Sequence, residues 1–222
     1  MEKSEWIELL KTNVAEFNRQ YLEWRNADLS NADLYNANLF NADLSRANLF
    51  SADLSKASLS NADLSFADLS NADLSNTNLS NANLFNADLS SANLSNVNLS
   101  NASLSNANLF SADLSSANLF SANLSSVNLS NADLSFANLS RADLFSANLY
   151  NAKGIVMISG HDKRGWQLYA VKWEDGPRIK GGCRWFTVEE ALAHWGGKNY
   201  PDKELGQRWV AAVNFAVAMM VE

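Results

Sequence analysis

The chain has one cysteine, two prolines, two histidines and nine glycines in 222 residues, and none of them lies between Asn26 and Ala152. The same stretch also lacks Trp, Met and Glu. A single cysteine excludes an internal disulfide and suits a reducing compartment. A secretory leader needs a basic start and an uninterrupted apolar run, which Glu2, Glu5 and Glu8 contradict, so a cytoplasmic protein is expected. The most apolar stretch, Trp209 to Val221, falls short of the roughly twenty residues that span a bilayer. Without His, Cys or Glu, the serines of 26–152 have no matching general base, so that region offers no nucleophile paired with a base.

What fills the stretch is a ladder. Every fifth residue from Leu29 to Leu149 is leucine, twenty-five in succession, and the residue two before each is alanine except at Thr77, Val97 and Val127. Five residues advance an α-helix by about 500°, which would spiral the leucines round the helix instead of forming a stripe. A plain strand fails too, because five is odd and alternation would send successive leucines to opposite faces. The chain must therefore turn once per repeat. A short extended piece, with alanine inward, Asp or Asn outward and leucine inward, followed by a two-residue corner, coils into a tube filled by Ala and Leu.

The outward position reports how many sides the tube has. Taken every twenty residues, Asp33, Asp53, Asp73, Asp113 and Asp133 form a column interrupted only by Asn93. The column Asn38, Ser58, Asn78, Asn98, Asn118 and Asn138 contains no acid. Phe50, Phe110 and Tyr150 share that register, as do Phe40 with Phe120 and Phe85 with Phe145, while Phe66 and Phe136 do not. Twenty residues per coil means four sides.

This motif of a small residue, a polar residue, a central leucine and two polar residues resembles the pentapeptide repeat family over Ala27 to Ala152. The resemblance implies a mainly β fold, a right-handed four-sided parallel β-solenoid, with Leu29 to Leu149 central and Ala27 to Ala147 as the small inward partners. Thr77, Val97 and Val127 are then bulkier variants of the small position. Twenty-five repeats make about six coils, or about 30 Å at a strand spacing near 4.8 Å. Each coil of such a stack touches only its neighbours, so both ends need covers.

Composition divides the chain into a helical cap at 1–25, the solenoid at 26–152 and an α+β module at 153–222, which holds all the glycines and prolines. Trp6, Leu9, Leu10, Val14, Phe17, Tyr21 and Trp24 recur at helical spacing, predicting one helix from Ser4 to about Trp24 that folds onto the first coil. In the module, Ile155 to Ile158 and Trp166 to Trp173 read as strands of a three-stranded hairpin group, with turns at 161–165 and 174–177. Thr187 to Glu190 has capping-box spacing and opens a helix ending near Trp195, before Gly196 and Gly197. Leu205, Trp209, Val213, Ala216 and Met220 mark a final helix, with Trp209, Val213, Ala216 and Met220 expected to pack as a cap or in a homodimer. The module's general cast resembles tails of small phage and prophage proteins, without matching a named family.

Charge is unevenly placed within the net −7 of the chain. The solenoid carries eleven Asp against Arg46, Lys56 and Arg141, whereas the module has ten basic and eight acidic residues. An acidic rod is similar to the family's quinolone-resistance members, which resemble duplex DNA in shape and charge and bind DNA gyrase in its place. By that resemblance the partner is gyrase or another basic, DNA-processing protein such as a nuclease or defence factor. The contact residues would be Asp33, Asp53, Asp73, Asp113 and Asp133, with no direct binding of nucleic acid or membrane. Eight net charges over about 30 Å give one per roughly 4 Å, under half the density of a duplex with one per about 1.7 Å. Against this stands the simpler account that outward Asp keeps the rod soluble, although solubility does not require sorting by face.

The corner Ser and Asn are expected to bond their own backbone. The outward aromatics Tyr35, Phe40, Phe50, Phe66, Phe85, Phe110, Phe120, Phe136, Phe145 and Tyr150 either pack over neighbouring coils or form a partner surface. In the module, His161, Asp162, Cys183 and His194 match no zinc or Cys–His spacing, and no catalytic, cofactor or metal residue is assigned. Gly181–Gly182 and Gly196–Gly197 lie in no phosphate loop and read as turns. The leading expectation is a non-enzymatic interaction scaffold. The alternatives are a spacer rod whose module does the recognition, and an enzyme within the module.

Overall fold

The computed structural model describes residues 2–21, 27–139, 141–161, 167–171, 178–181, 184–198, 200–201, 203, 206–207, 209–211 and 213–214. The chain divides into two compact units, Met1–Ala152 and Lys153–Glu222.

In the first unit each outward residue forms a parallel bridge with the one twenty residues on, from Asp28 with Asn48 to Asn128 with Asn148. The coil therefore has four five-residue sides. The first face carries outward residues Asp28, Asn48, Asp68, Asp88, Asn108, Asn128 and Asn148, and the second carries Asp33, Asp53, Asp73, Asn93, Asp113 and Asp133. The third runs from Asn38 to Asn138 and the fourth from Asp43 to Asp143, and each corner takes the number of the face it follows. All the ladder leucines are at most 4% exposed. Each side contributes one bridged residue, so the wall is a stack of short parallel contacts without long strands.

The repeat at Leu54 shows why five residues suffice. Leu54 N–H donates to Asp73 C=O on the next coil at 2.8 Å, and Lys56 N–H to Ser75 C=O at 2.9 Å. Ser58 N–H donates back to Ala37 C=O at 2.9 Å, and Ala57 N–H closes the turn on Leu54 C=O at 3.0 Å. The fifth amide, Ser55 N–H, donates to Asp53 Oδ1 at 2.9 Å. All five amides are thus satisfied, as a buried backbone demands.

Two features of the corner follow. Its second residue is left-handed in every repeat, with φ between 54° and 65° from Asn31 to Asn151, and none of these positions is glycine. Asn tolerates this region best, and Arg46, Lys56, Phe66, Phe136 and Arg141 are the bulky exceptions. The side chain that bonds the corner backbone belongs to the outward Asp or Asn, not to the corner Ser or Asn as the sequence suggested, because only the residue preceding leucine reaches the amide two positions on. The bulkier Thr77 is accommodated because its buried hydroxyl donates to Leu54 C=O at 2.7 Å.

The amino-terminal segment is two helices, α1 (Lys3–Thr12) and α2 (Val14–Tyr21), and not the single helix expected. Asn13 divides them: its N–H ends α1 on Leu9 C=O at 2.8 Å while its Oδ1 caps Glu16 N–H at 3.0 Å. Trp24 lies outside the described residues. Trp6, Phe17 and Tyr21 pack as an aromatic group with ring centroids 5.2–6.3 Å apart. Beside the first coil, α2 supplies partners that a preceding coil would otherwise provide. Asn18 Oδ1 accepts from Asp43 N–H at 2.8 Å, its Nδ2 donates to Asn41 C=O at 2.9 Å, and Tyr21 Oη donates to buried Ser45 C=O at 2.7 Å. An exposed coil edge is thereby closed.

The second unit holds a four-stranded antiparallel meander, β1 (Ile155–His161), β2 (Gln167–Val171), β3 (Arg178–Gly181) and β4 (Arg184–Thr187), in that order. This is one strand more than the sequence suggested, because β3 and β4 are only four residues each and too short to declare an alternation. His161 ends β1 beyond an irregularity at Ile158 to His161, so the expected turn does not begin there, and the remainder of both expected turns lies outside the described residues. Gly181 ends β3 and pairs with Arg184 at the start of β4, and Gly182 lies outside the described residues. Helix α3 (Val188–Gly196) starts on Thr187, whose Oγ1 accepts from Glu190 N–H at 3.1 Å while Glu190 Oε2 accepts from Thr187 N–H at 2.7 Å.

Asn18→Ala should lower the stability of the first unit by about 1–3 kcal/mol, through the Asp43 amide left unpaired, with Tyr21→Phe costing less; chemical denaturation followed by circular dichroism measures both. In the second unit a Cβ on Gly206 would stand 2.5 Å from Trp195 C=O. Gly206→Ala should therefore destabilise that unit by about 1–3 kcal/mol, seen as loss of dispersed tryptophan indole resonances while the solenoid spectrum persists.

Candidate partner interface on the solenoid

The structure brings Asp33, Asp53, Asp73, Asp113 and Asp133 into one line on the second face, bridged in sequence through Asn93. Each uses Oδ1 for its corner, accepting from the amides of Tyr35, Ser55, Ser75, Ser115 and Ser135 at 2.9–3.1 Å. Asparagine closes its corners in the same way at 3.0–3.3 Å, so either residue makes the bond and the carboxylate makes the shorter one.

Between coils they differ. On the third face Asn98 Nδ2 donates to Asn78 Oδ1, Asn118 to Asn98 and Asn138 to Asn118, each at 3.2 Å, giving a continuous side-chain ladder. Asn93 donates in the same sense to Asp73 Oδ1 at 3.1 Å. A carboxylate accepts such a bond but cannot make the next one. Asp33 to Asp53, Asp53 to Asp73 and Asp113 to Asp133 therefore stack without a ladder bond, as like charges roughly 4.8 Å apart, which repel by about 1 kcal/mol even in water. The eleven acids are distributed as three, five, none and three over the four faces. The third face is thus the neutral exception, and the acids form a belt over the fourth, first and second.

Asp28, at the start of the first face, has its carboxyl held below the usual range, chiefly by the Ser30 hydroxyl and amide, with Lys3 adding attraction from 3.8 Å. Eight of the ten outward aromatics are exposed, while Phe85 and Phe120 are half-buried, Phe85 against Phe66 at 5.5 Å and Phe120 beneath Arg141 at 5.4 Å. The regular columns made the acidic line legible in advance. The Asn ladder was missed, although the alternation of Asn and Asp at twenty-residue spacing carried its signal.

In the second unit Trp209 and Val213 are 3% and 0% exposed within a core with Ile179, Ala191 and Trp195, so this part of the apolar stripe packs inside its own unit. Ala216 and Met220 lie outside the described residues. His194 is exposed and stacks on Phe186 at 5.3 Å, with Tyr200 at 5.8 Å. Asp162 and Cys183 lie outside the described residues, as does the His161 side chain. Among the described residues no three His, Cys, Asp or Glu are placed to hold a metal, and no helix is long and apolar enough to cross a membrane.

Pentapeptide repeats match this coil across residues 27–153, in eight copies. The chain belongs to the pentapeptide repeat family. The match covers more than half of this pentapeptide repeat protein, and the family's fold is the right-handed parallel β-helix. Among solved structures it is similar to a pentapeptide repeat protein of the Arabidopsis thaliana thylakoid lumen, at 32% identity over 43% of this chain and 63% of the other, TM-score 0.35. It is also similar to HetL, a pentapeptide repeat protein involved in heterocyst differentiation regulation in the cyanobacterium Nostoc, at 28% identity over 64% and 95% of the two chains, TM-score 0.28. QnrB1, a plasmid-mediated fluoroquinolone resistance protein, aligns at 22% identity over 57% and 76%, TM-score 0.41. This chain thus spans under two thirds of the thylakoid protein. No curated protein matches it.

Replacing all five second-face aspartates by asparagine should raise the solenoid's stability, since each new ladder bond contributes about 0.5–1.5 kcal/mol and the like-charge stacking disappears. A thermal melt in low salt measures this, and a lowered midpoint would show that the carboxylates stabilise the coil.

Proposed function

We propose that this pentapeptide repeat protein is a non-enzymatic interaction scaffold whose acidic belt occupies the DNA-binding surface of a basic DNA-processing enzyme, with gyrase the first candidate. One observation carries the reading: the second face keeps five aspartates in one column where asparagine also closes the corner and bonds between coils besides. A feature that opposes the fold's own preference, and is confined to some faces, is better explained by a partner than by solubility. The charge density is under half that of a duplex, so the fit relies on shape and on a local acidic surface more than on full electrostatic mimicry. The site of action is the cytoplasm, where such enzymes meet DNA. Homodimerisation through the final helix would use residues beyond Trp209 and Val213, which the module's own core occupies.

Binding to gyrase or another DNA-processing enzyme should weaken steeply as salt rises, be displaced by duplex DNA, and be lost in the variant with all five aspartates changed to asparagine. Surface plasmon resonance at low and high salt measures all three; unchanged affinity of that variant would remove the second face from the interface.

A further inference from the structure

The solenoid's three basic residues all do the same thing. Arg46 Cζ lies 5.1 Å from the Phe66 ring at the fourth corner, and Lys56 Nζ lies 5.3 Å from the Tyr35 ring at the second. Arg141 Cζ lies 5.4 Å from the Phe120 ring at the third. Lys56 also donates to Tyr35 Oη at 3.1 Å, which raises its pKa. Three of the four corners therefore hold one internal cation over an aromatic ring.

The first corner differs. It carries Phe50, Phe110 and Tyr150 and no basic residue. Phe50 and Phe110 are 41% and 43% exposed, and among the described residues neither ring has an aromatic or cationic neighbour. Their own column places only serine on the adjacent coils, Ser30 and Ser70 beside Phe50 and Ser90 and Ser130 beside Phe110. This corner also separates the first face, with Asp68 and Asp88, from the second, with its five aspartates. The segment Asn-Leu-Phe-Ser-Ala-Asp-Leu-Ser occurs identically at 48–55 and 108–115, three coils and so roughly 14 Å apart. In each copy one left-handed serine and one buried alanine separate the ring from an aspartate whose Oδ2 has no partner among the described residues. Lys3 of α1 reaches this corner one coil before Phe50, with Nζ 2.9 Å from Ser30 Oγ and 3.8 Å from Asp28. A cation from outside the solenoid is thus already held there.

We propose that the first corner is an arginine-reading surface, on which Phe50 with Asp53 and Phe110 with Asp113 each receive one arginine of a partner protein's basic surface. The ring takes the face of the guanidinium, as Phe66 takes Arg46, and the carboxylate takes its N–H edge. Lysine satisfies the charge but lacks the planar fork that stacks and bonds together. The inference rests on the acidic-belt reading and adds the residue type that the belt selects.

The test compares a deca-arginine with a deca-lysine peptide binding to the full chain in low salt by isothermal titration calorimetry. The arginine peptide should bind about fivefold more tightly, the scale of two exposed cation–π contacts. Phe50→Leu/Phe110→Leu should abolish that preference, lowering arginine-peptide affinity more than lysine-peptide affinity while leaving the salt dependence of both unchanged. Phe40→Leu/Phe145→Leu, altering exposed rings at the third and fourth corners, should retain the preference and controls for folding. Equal affinities in the wild type, or a preference surviving Phe50→Leu/Phe110→Leu, would overturn the arginine assignment while salt-sensitive binding keeps the acidic belt. Absence of salt-sensitive binding by either peptide would overturn both.

Discussion

The solenoid's recurring constraint is one bond, from a corner amide to the Oδ1 of the Asp or Asn two residues before it, which among the described residues is missing only where the outward residue is Ser58 or Ser103. A five-residue repeat must break the inward and outward alternation of an extended chain once per repeat, and the break exposes an amide that no neighbouring coil reaches. The outward side chain satisfies it, and the left-handed residue that follows completes the turn on alanine. Leucine and alanine then fill the interior without further instruction. Because each coil bonds only to the next, an open edge is costly, and α2 meets that cost at the first coil with Asn18 and Tyr21.

That bond also explains how a monotonous coil carries information. Carboxylate and amide both close the corner, so charge can be written along the outward columns without disturbing the fold. Between coils the two differ, since an amide donates to its neighbour and a carboxylate cannot. The third face takes the cohesive choice, with linked asparagines from 78 to 138, while the second takes the repulsive one. The corners repeat the contrast: three carry a cation on a ring and the first leaves its rings open between acidic faces. Departures from local preference gathered on one side of a rod are where a partner is to be sought.

Much of this was legible in the chain. The leucine period required a turn every five residues, and the recurrence of aspartate at twenty required four sides, because both are matters of arithmetic and extended-chain geometry. The spacing of Thr187 and Glu190 located the start of α3 for a similar reason, as a cap is a local bond between residues three apart. The two helices before the coil were not legible, since Asn13 is acceptable within a helix until its side chain caps the next one. Nor were β3 and β4, whose four residues each show no period and are held by their neighbours in the sheet.

The order of residues is enough to set the coil's period, its interior, its four columns and the position of every acid. What those columns do to one another is settled by folding. Ladder bonds and ring–cation contacts join residues twenty or twenty-one apart, whose proximity exists only once the chain has wound. Likewise Trp209 and Val213 form an apolar stripe in the sequence, and it is the packing of Ile179, Ala191 and Trp195 around them that makes the stripe interior. Local bonds are written in neighbouring letters, whereas contacts across coils depend on a geometry that the whole chain creates.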